Sequence, residues 1–217
     1  MTNYYSETPP ETPETKQVNP FLSVWHEPRV ATRYVIEHKT ILFPIVLVII
    51  GGIISFISES FADDSYLNFS FPGAFIVSIL LGALAGIVGW GISTGLMTLI
   101  GKIFGGKATL KEMSLALGVS YIPSIVVALL LVIDAVILGP QLYDAAFYSG
   151  GQIGWLILSS ILKLILSIWA FFINVKAVSE AHRFSSWLGF FTIIIPTLLL
   201  ILLIIVIVFV FVGTMVF

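Results

Sequence analysis

The chain has 217 residues, 58% of them hydrophobic and 10% charged, with a mean hydropathy of +1.07. Soluble domains carry about 25% charge, so this composition excludes a water-covered globule and fits a surface that faces lipid. A formal net charge of −2 supplies no basic excess for nucleic acid, and the absence of cysteine excludes disulfides, thiolate metal sites and palmitoylation.

Residues 1–19, with the run Thr8-Pro9-Pro10-Glu11-Thr12-Pro13-Glu14, bury too little apolar surface to offset chain entropy. They are predicted to form a disordered tail on the cytosolic side. No basic segment followed by an apolar core marks a signal peptide there. Residues 20–39 differ. Asn19-Pro20 is a helix start, with Asn as cap and Pro in the first turn. Pro28 starts a second short helix that interleaves Val30, Tyr34 and Val35 with Arg33 and Glu37. The pair is too polar to span a bilayer. Two readings stand: interfacial helices anchored by Phe21 and Trp25, or helices packed on the protein's own loops.

Five apolar runs follow: Ile41–Ile57, Ala74–Ile100, Leu115–Gly139, Ile153–Val175 and Leu188–Phe217. A hydrocarbon core of ~30 Å needs ~20 helical residues. The runs do not alternate polar and apolar residues, which excludes membrane strands. Pro123 in the third run frees a backbone carbonyl near Gly118, Ser120 and Tyr121, and Pro196 is predicted to kink the long fifth run. Basic residues sit at alternate connections. Arg29, Arg33 and Lys39 precede span one; Lys102, Lys107 and Lys111 follow span two; Lys176 and Arg183 follow span four. The 58–73 and 140–152 loops hold only acidic charges. The positive-inside rule then predicts an all-α bundle of five transmembrane helices over residues 40–217, N-terminus in and C-terminus out.

Chemistry-bearing residues are few. His26, His38 and His182 lack the i, i+4 spacing of a zinc helix and read as interfacial or solvated residues. No nucleophile elbow or phosphate loop occurs, so the chain reads as a non-enzyme without metal or cofactor. Asn68-Phe69-Ser70 is a sequon whose meaning depends on a eukaryotic lumen. Two ionisable residues, Asp134 and Lys163, lie inside spans. A rise of about 1.5 Å per residue places them roughly 8 and 15 Å below the outer end of spans three and four. Side chains tilt toward the helix N-terminus, so the Lys163 stem climbs toward Asp134. The functional reading is an ion or proton step; the other is a structural ion pair or two snorkelling residues. In span two, Ser78, Gly82 and Gly86 repeat every four positions, as do Gly91 and Gly95. Such faces allow close helix approach, within the chain or against a second copy or partner.

The stretch from Asn19 to Arg29, Asn19-Pro20-Phe21-Leu22-Ser23-Val24-Trp25-His26-Glu27-Pro28-Arg29, resembles the opening motif of bacterial Yip-domain membrane proteins. Phe104-Gly105-Gly106-Lys107-Ala108-Thr109-Leu110-Lys111 resembles their Gly-Gly-Lys loop, and Gly118-Val119-Ser120-Tyr121-Ile122-Pro123 resembles the stretch that opens their third span. The likeness covers roughly residues 19–217. It implies a multi-pass protein of the bacterial plasma membrane that acts on other membrane proteins. An accessory role toward an ABC-type exporter of toxic peptides is one such role. Eukaryotic members of the family bind Rab-type GTPases. This chain lacks their long acidic cytosolic domain, so that activity is not carried over. The alternative is a small transporter or channel using Asp134 and Lys163.

Overall fold

A computed structural model of the protein describes residues 18–60, 71–138 and 149–216. The tail to residue 17, most of the two acidic loops and the sequon lie outside these. Every regular element among the described residues is a helix: α1 (Pro20–Ser23), α2 (Pro28–His38), α3 (Leu42–Ser60), α4 (Phe71–Ile103), α5 (Leu110–Leu138), α6 (Gly150–His182) and α7 (Ser186–Val216). Local chemistry accounts for their ends. The Asn19 carboxamide oxygen accepts from Phe21 N–H at 3.0 Å, and Pro20 and Pro28 occupy the first turns of α1 and α2. Ser149 and Gln152 form a capping box at the start of α6.

Four helices, α4 to α7, contain stretches long and apolar enough to cross a membrane. The apolar stretch of α3, Leu42–Ile57, is shorter. α3 packs on α4 and α5, α5 packs on α6, and α7 lies against α6 and α4. α4 and α6 have 33 residues each, roughly 50 Å at the helical rise and well beyond a ~30 Å core.

Packing is concentrated at one end. Val24, Ala31 and Val35 of the N-terminal segment are fully buried with Leu115 and Val119 of α5 and Ile173 of α6. A second cluster joins Val48, Trp90, Met113, Leu117, Val178 and Ile193. α1 and α2 therefore cap the bundle, with α2 seated on α5 and α6. Trp25 packs partly buried against the first cluster, and its carbonyl accepts from the Trp169 indole at 3.2 Å. Phe21 stays half-exposed, edge-on to Phe43. The two aromatics named as anchors thus have different environments.

Leaving the cap, α7 becomes exposed. From Leu198 to Phe211 every residue is exposed, Ile201 least at 48% and Phe209 most at 81%. A helix apolar on all sides is at home in hydrocarbon. Pro196 stands inside α7 and Pro123 inside α5, and both helices continue through them.

The small-residue stripe of α4 divides. A Cβ on Gly82 would fall 2.7 Å from the Gly52 carbonyl, and one on Gly86 would fall 2.7 Å from the Val48 carbonyl, so this half is the contact with α3. Among the described residues, a Cβ on Gly91 or Gly95 would meet nothing within 4 Å. Gly118 of α5 makes a similar close approach to Pro44 of α3.

Candidate functional site

At the capped end, α4 ends at Ile103 and is closed by Gly105, whose φ of +80° only glycine adopts freely. The Gly105 N–H bonds the Lys102 carbonyl at 2.9 Å and the Gly106 N–H bonds that of Gly101 at 2.8 Å, a Schellman ending. α6 stops at Arg183, a left-handed non-glycine residue with φ 59°. Its guanidinium reaches Glu112 at 2.8 Å, a contact glycine would forgo.

His182 joins these two helix ends. It is 1% exposed, with its ring against Gly101 and Gly106, where a Cβ would collide with the imidazole. One ring nitrogen, Nε2, lies 3.0 Å from the Met97 carbonyl. The other, Nδ1, accepts from Ala108 N–H at 3.3 Å, and the Lys107 N–H bonds the His182 carbonyl at 3.1 Å. A carbonyl on one side and an N–H on the other select the neutral Nε2–H tautomer. The Gly105, Gly106, Lys107 loop is thereby fastened to α6, and the two glycines serve a helix ending and a histidine contact.

Glu180, two residues earlier on α6, holds the cap. Arg33 reaches its Oε1 through Nη2 at 2.6 Å and Nε at 2.9 Å, and Arg29 reaches Oε2 at 3.3 Å. Arg29 and Lys176 both donate to the Ser186 hydroxyl, at 3.1 and 2.9 Å. Glu180 and His182 hold this region together. The reading of His182 as interfacial or solvated is corrected, since its ring is buried and bonded to backbone at both nitrogens. Glu180 had a signal, as the lone acid between Lys176 and Arg183; an isolated histidine bonded to backbone had none.

The structure brings Asp134 and Lys163 together across α5 and α6, Nζ to Oδ2 at 2.5 Å, with Asp134 only 2% exposed. The Trp155 indole donates to the other carboxylate oxygen at 2.9 Å. Both oxygens are therefore engaged. Nearer the cap, a cavity of about 340 Å³ between α4, α5 and α6 carries Ser93, Ser120, Tyr121, Ser124 and Asn174 on its walls, next to Pro123. Ser120 donates to the Asn174 carboxamide oxygen at 3.2 Å. No group of three or more potential metal ligands occurs among the described residues.

The family model of the Yip1 domain matches residues 22–208, from the cap into the exposed part of α7. The chain belongs to the Yip1-domain family. Family and apolar helices together make it a multi-pass membrane protein. No curated protein and no solved structure matches it. The stretches from Asn19 to Arg29 and from Phe104 to Lys107 both lie at the capped end, the first packed on α5 and α6 and the second bonded to His182 of α6.

Proposed function

We propose that this Yip1-domain protein is a five-span protein of the bacterial plasma membrane, N-terminus in the cytosol, that acts by binding other membrane proteins. An ABC-type exporter is the partner class, and the cap is the binding surface. The observation that carries the reading is the fastening of α2 by Glu180. Two arginines on one carboxylate, Arg33 with two N–H groups on one oxygen and Arg29 on the other, hold a short helix in a single position. That helix pair exposes Phe21, Leu22 and Val30. A surface kept in one shape suits recognition, because little ordering entropy is lost on binding. Glu180→Gln is expected to weaken cap docking by about 2 kcal/mol, the scale of lost charge-assisted hydrogen bonds. Hydrogen exchange over residues 20–38 should rise while the spans stay protected. Recovery of crosslinked partners from native membranes should fall with it. Full recovery from a loosened cap would remove this surface from consideration.

Orientation has its own test. The chain has no cysteine, so single ones report cleanly. An impermeant thiol reagent applied to intact cells should label Ser65→Cys and Ala145→Cys but not Lys107→Cys. Labelling of position 107 from outside reverses the assignment. A second reading, a small transporter or channel, draws support from the polar cavity beside Pro123 and from the intramembrane Asp134–Lys163 pair.

A further inference from the structure

A second cavity of about 620 Å³ lies on the flank of the capped end, between the start of α3, the later part of α4 and the start of α5. Its size falls in the range of small-molecule sites, ~300–1,000 Å³. Ile41, Trp90, Gly91 and Leu110 make it apolar, and Gly91 leaves room where a side chain would stand. Thr40, Ser114 and Lys111 add polar groups.

Thr94 is in the wall, 6% exposed, and its hydroxyl is the buried side-chain polar atom without a partner among the described residues. A helical threonine ordinarily satisfies itself on the carbonyl four residues back. Thr32, Thr98, Thr192 and Thr197 all do so, at 2.7 to 2.8 Å. Thr94 does not, which leaves a hydroxyl donor without an internal partner in the groove wall. Nearby stands a cation. Lys111 is exposed and makes no ion pair within 4.0 Å among the described residues. Leu110 and Lys111 are the first residues of α5, so their N–H groups have no acceptor within the helix. The adjacent carboxylate, Glu112, is engaged by Thr109 and Arg183 at 2.8 Å each.

We propose that this groove binds one anionic phospholipid from the leaflet on the capped side. Depth and charge both select it. The groove lies where α3 begins directly after the polar α2, the level at which headgroups meet hydrocarbon. A lipid supplies a chain for the wall of Trp90, Gly91 and Ile41. Its ester carbonyl is an acceptor for Thr94, and its phosphate meets the Lys111 ammonium and the first amides of α5. The site is separate from the cap surface and does not depend on that reading.

The full chain, purified in detergent, is offered phosphatidylglycerol or phosphatidylcholine in mixed micelles, and retained lipid is measured by native mass spectrometry. Phosphatidylglycerol should be retained in preference, one molecule per chain. Lys111→Gln should lower that preference about fivefold, the value of one interfacial cation. Thr94→Val keeps the shape, removes the orphan donor and should lower retention of both lipids by about fivefold, one hydrogen bond. Gly91→Phe should expel both. Equal retention of the two lipids by the native chain overturns the proposal. So does undiminished retention in Thr94→Val and Lys111→Gln, which are not expected to disturb folding. Displacement of the lipid by inorganic phosphate alone would mean a simple anion site. A Gly91→Phe change that dissociates a dimer and leaves lipid binding intact would assign the groove to a second copy.

Discussion

Asp134→Ala is expected to destabilise the folded bundle by about 3 kcal/mol, the lower part of the range for breaking a buried ion pair. Two groups lose their acceptor, the Lys163 ammonium and the Trp155 indole. The lower part applies because the Lys163 side chain keeps 20% exposure and a long stem that can move its charge outward. Lys163→Met leaves the carboxylate with the indole alone and should cost somewhat less. The double variant should cost less than the sum, with a coupling of about 1–2 kcal/mol, since polar contacts between membrane helices rarely exceed this. Unfolding in mixed micelles, followed by tryptophan fluorescence, provides the cycle. Strict additivity would mean that the two charges do not interact in the folded protein. The same residues separate the two functional readings. If Asp134→Asn folds normally and abolishes an ion or proton flux in vesicles, the transporter reading gains and the interaction reading loses. If it only lowers stability, the pair is a fastening between α5 and α6.

That contact could be read from the sequence because two lone charges in apolar runs have few alternatives, and the helical rise fixes their depths. Trp155 could not, since an indole in a span is also at home in lipid or in a core. The cap shows a different limit. Interleaved apolar and charged residues in 20–39 define an amphipathic helix but do not say what its polar face meets. The answer, Glu180, lies 147 residues beyond Arg33. The buried face, Ala31 and Val35, then rests on α5 and α6 instead of lipid. His182 is harder still. Its partners are a carbonyl and an amide, groups every residue carries, so no side-chain pattern announces them. The Gly105-Gly106 pair marked a turn, and only the fold adds that the turn closes on a histidine.

The stripe on α4 separates pattern from packing most directly, and it predicts a large steric effect against backbone atoms. Gly82 and Gly86 repeat at the same interval as Gly91 and Gly95, yet among the described residues only the first pair meets another helix within 4 Å. Its counterpart is Gly52 of α3. A Cβ on Gly52 would stand 2.3 Å from the Gly82 carbonyl oxygen and 3.0 Å from the Gly86 Cα. Both are backbone atoms, so no side-chain rotation relieves the clash and the helices must separate. Van der Waals contact is the main attraction between helices in lipid, and separation forfeits it along the whole seam. Gly52→Ala is expected to cost about 3 kcal/mol, the upper part of the range for overpacking, and Gly52→Leu more. Gly95→Ala adds the same methyl group where nothing lies within 4 Å. It should leave stability unchanged or raise it by up to about 1 kcal/mol through helix propensity. Unfolding midpoints in mixed micelles compare the two directly. Equal tolerance of alanine at both positions would mean that α3 and α4 do not meet through their glycines. A loss at position 95 to match that at 52 would mean that the open half of the stripe is covered in the membrane by a second helix surface.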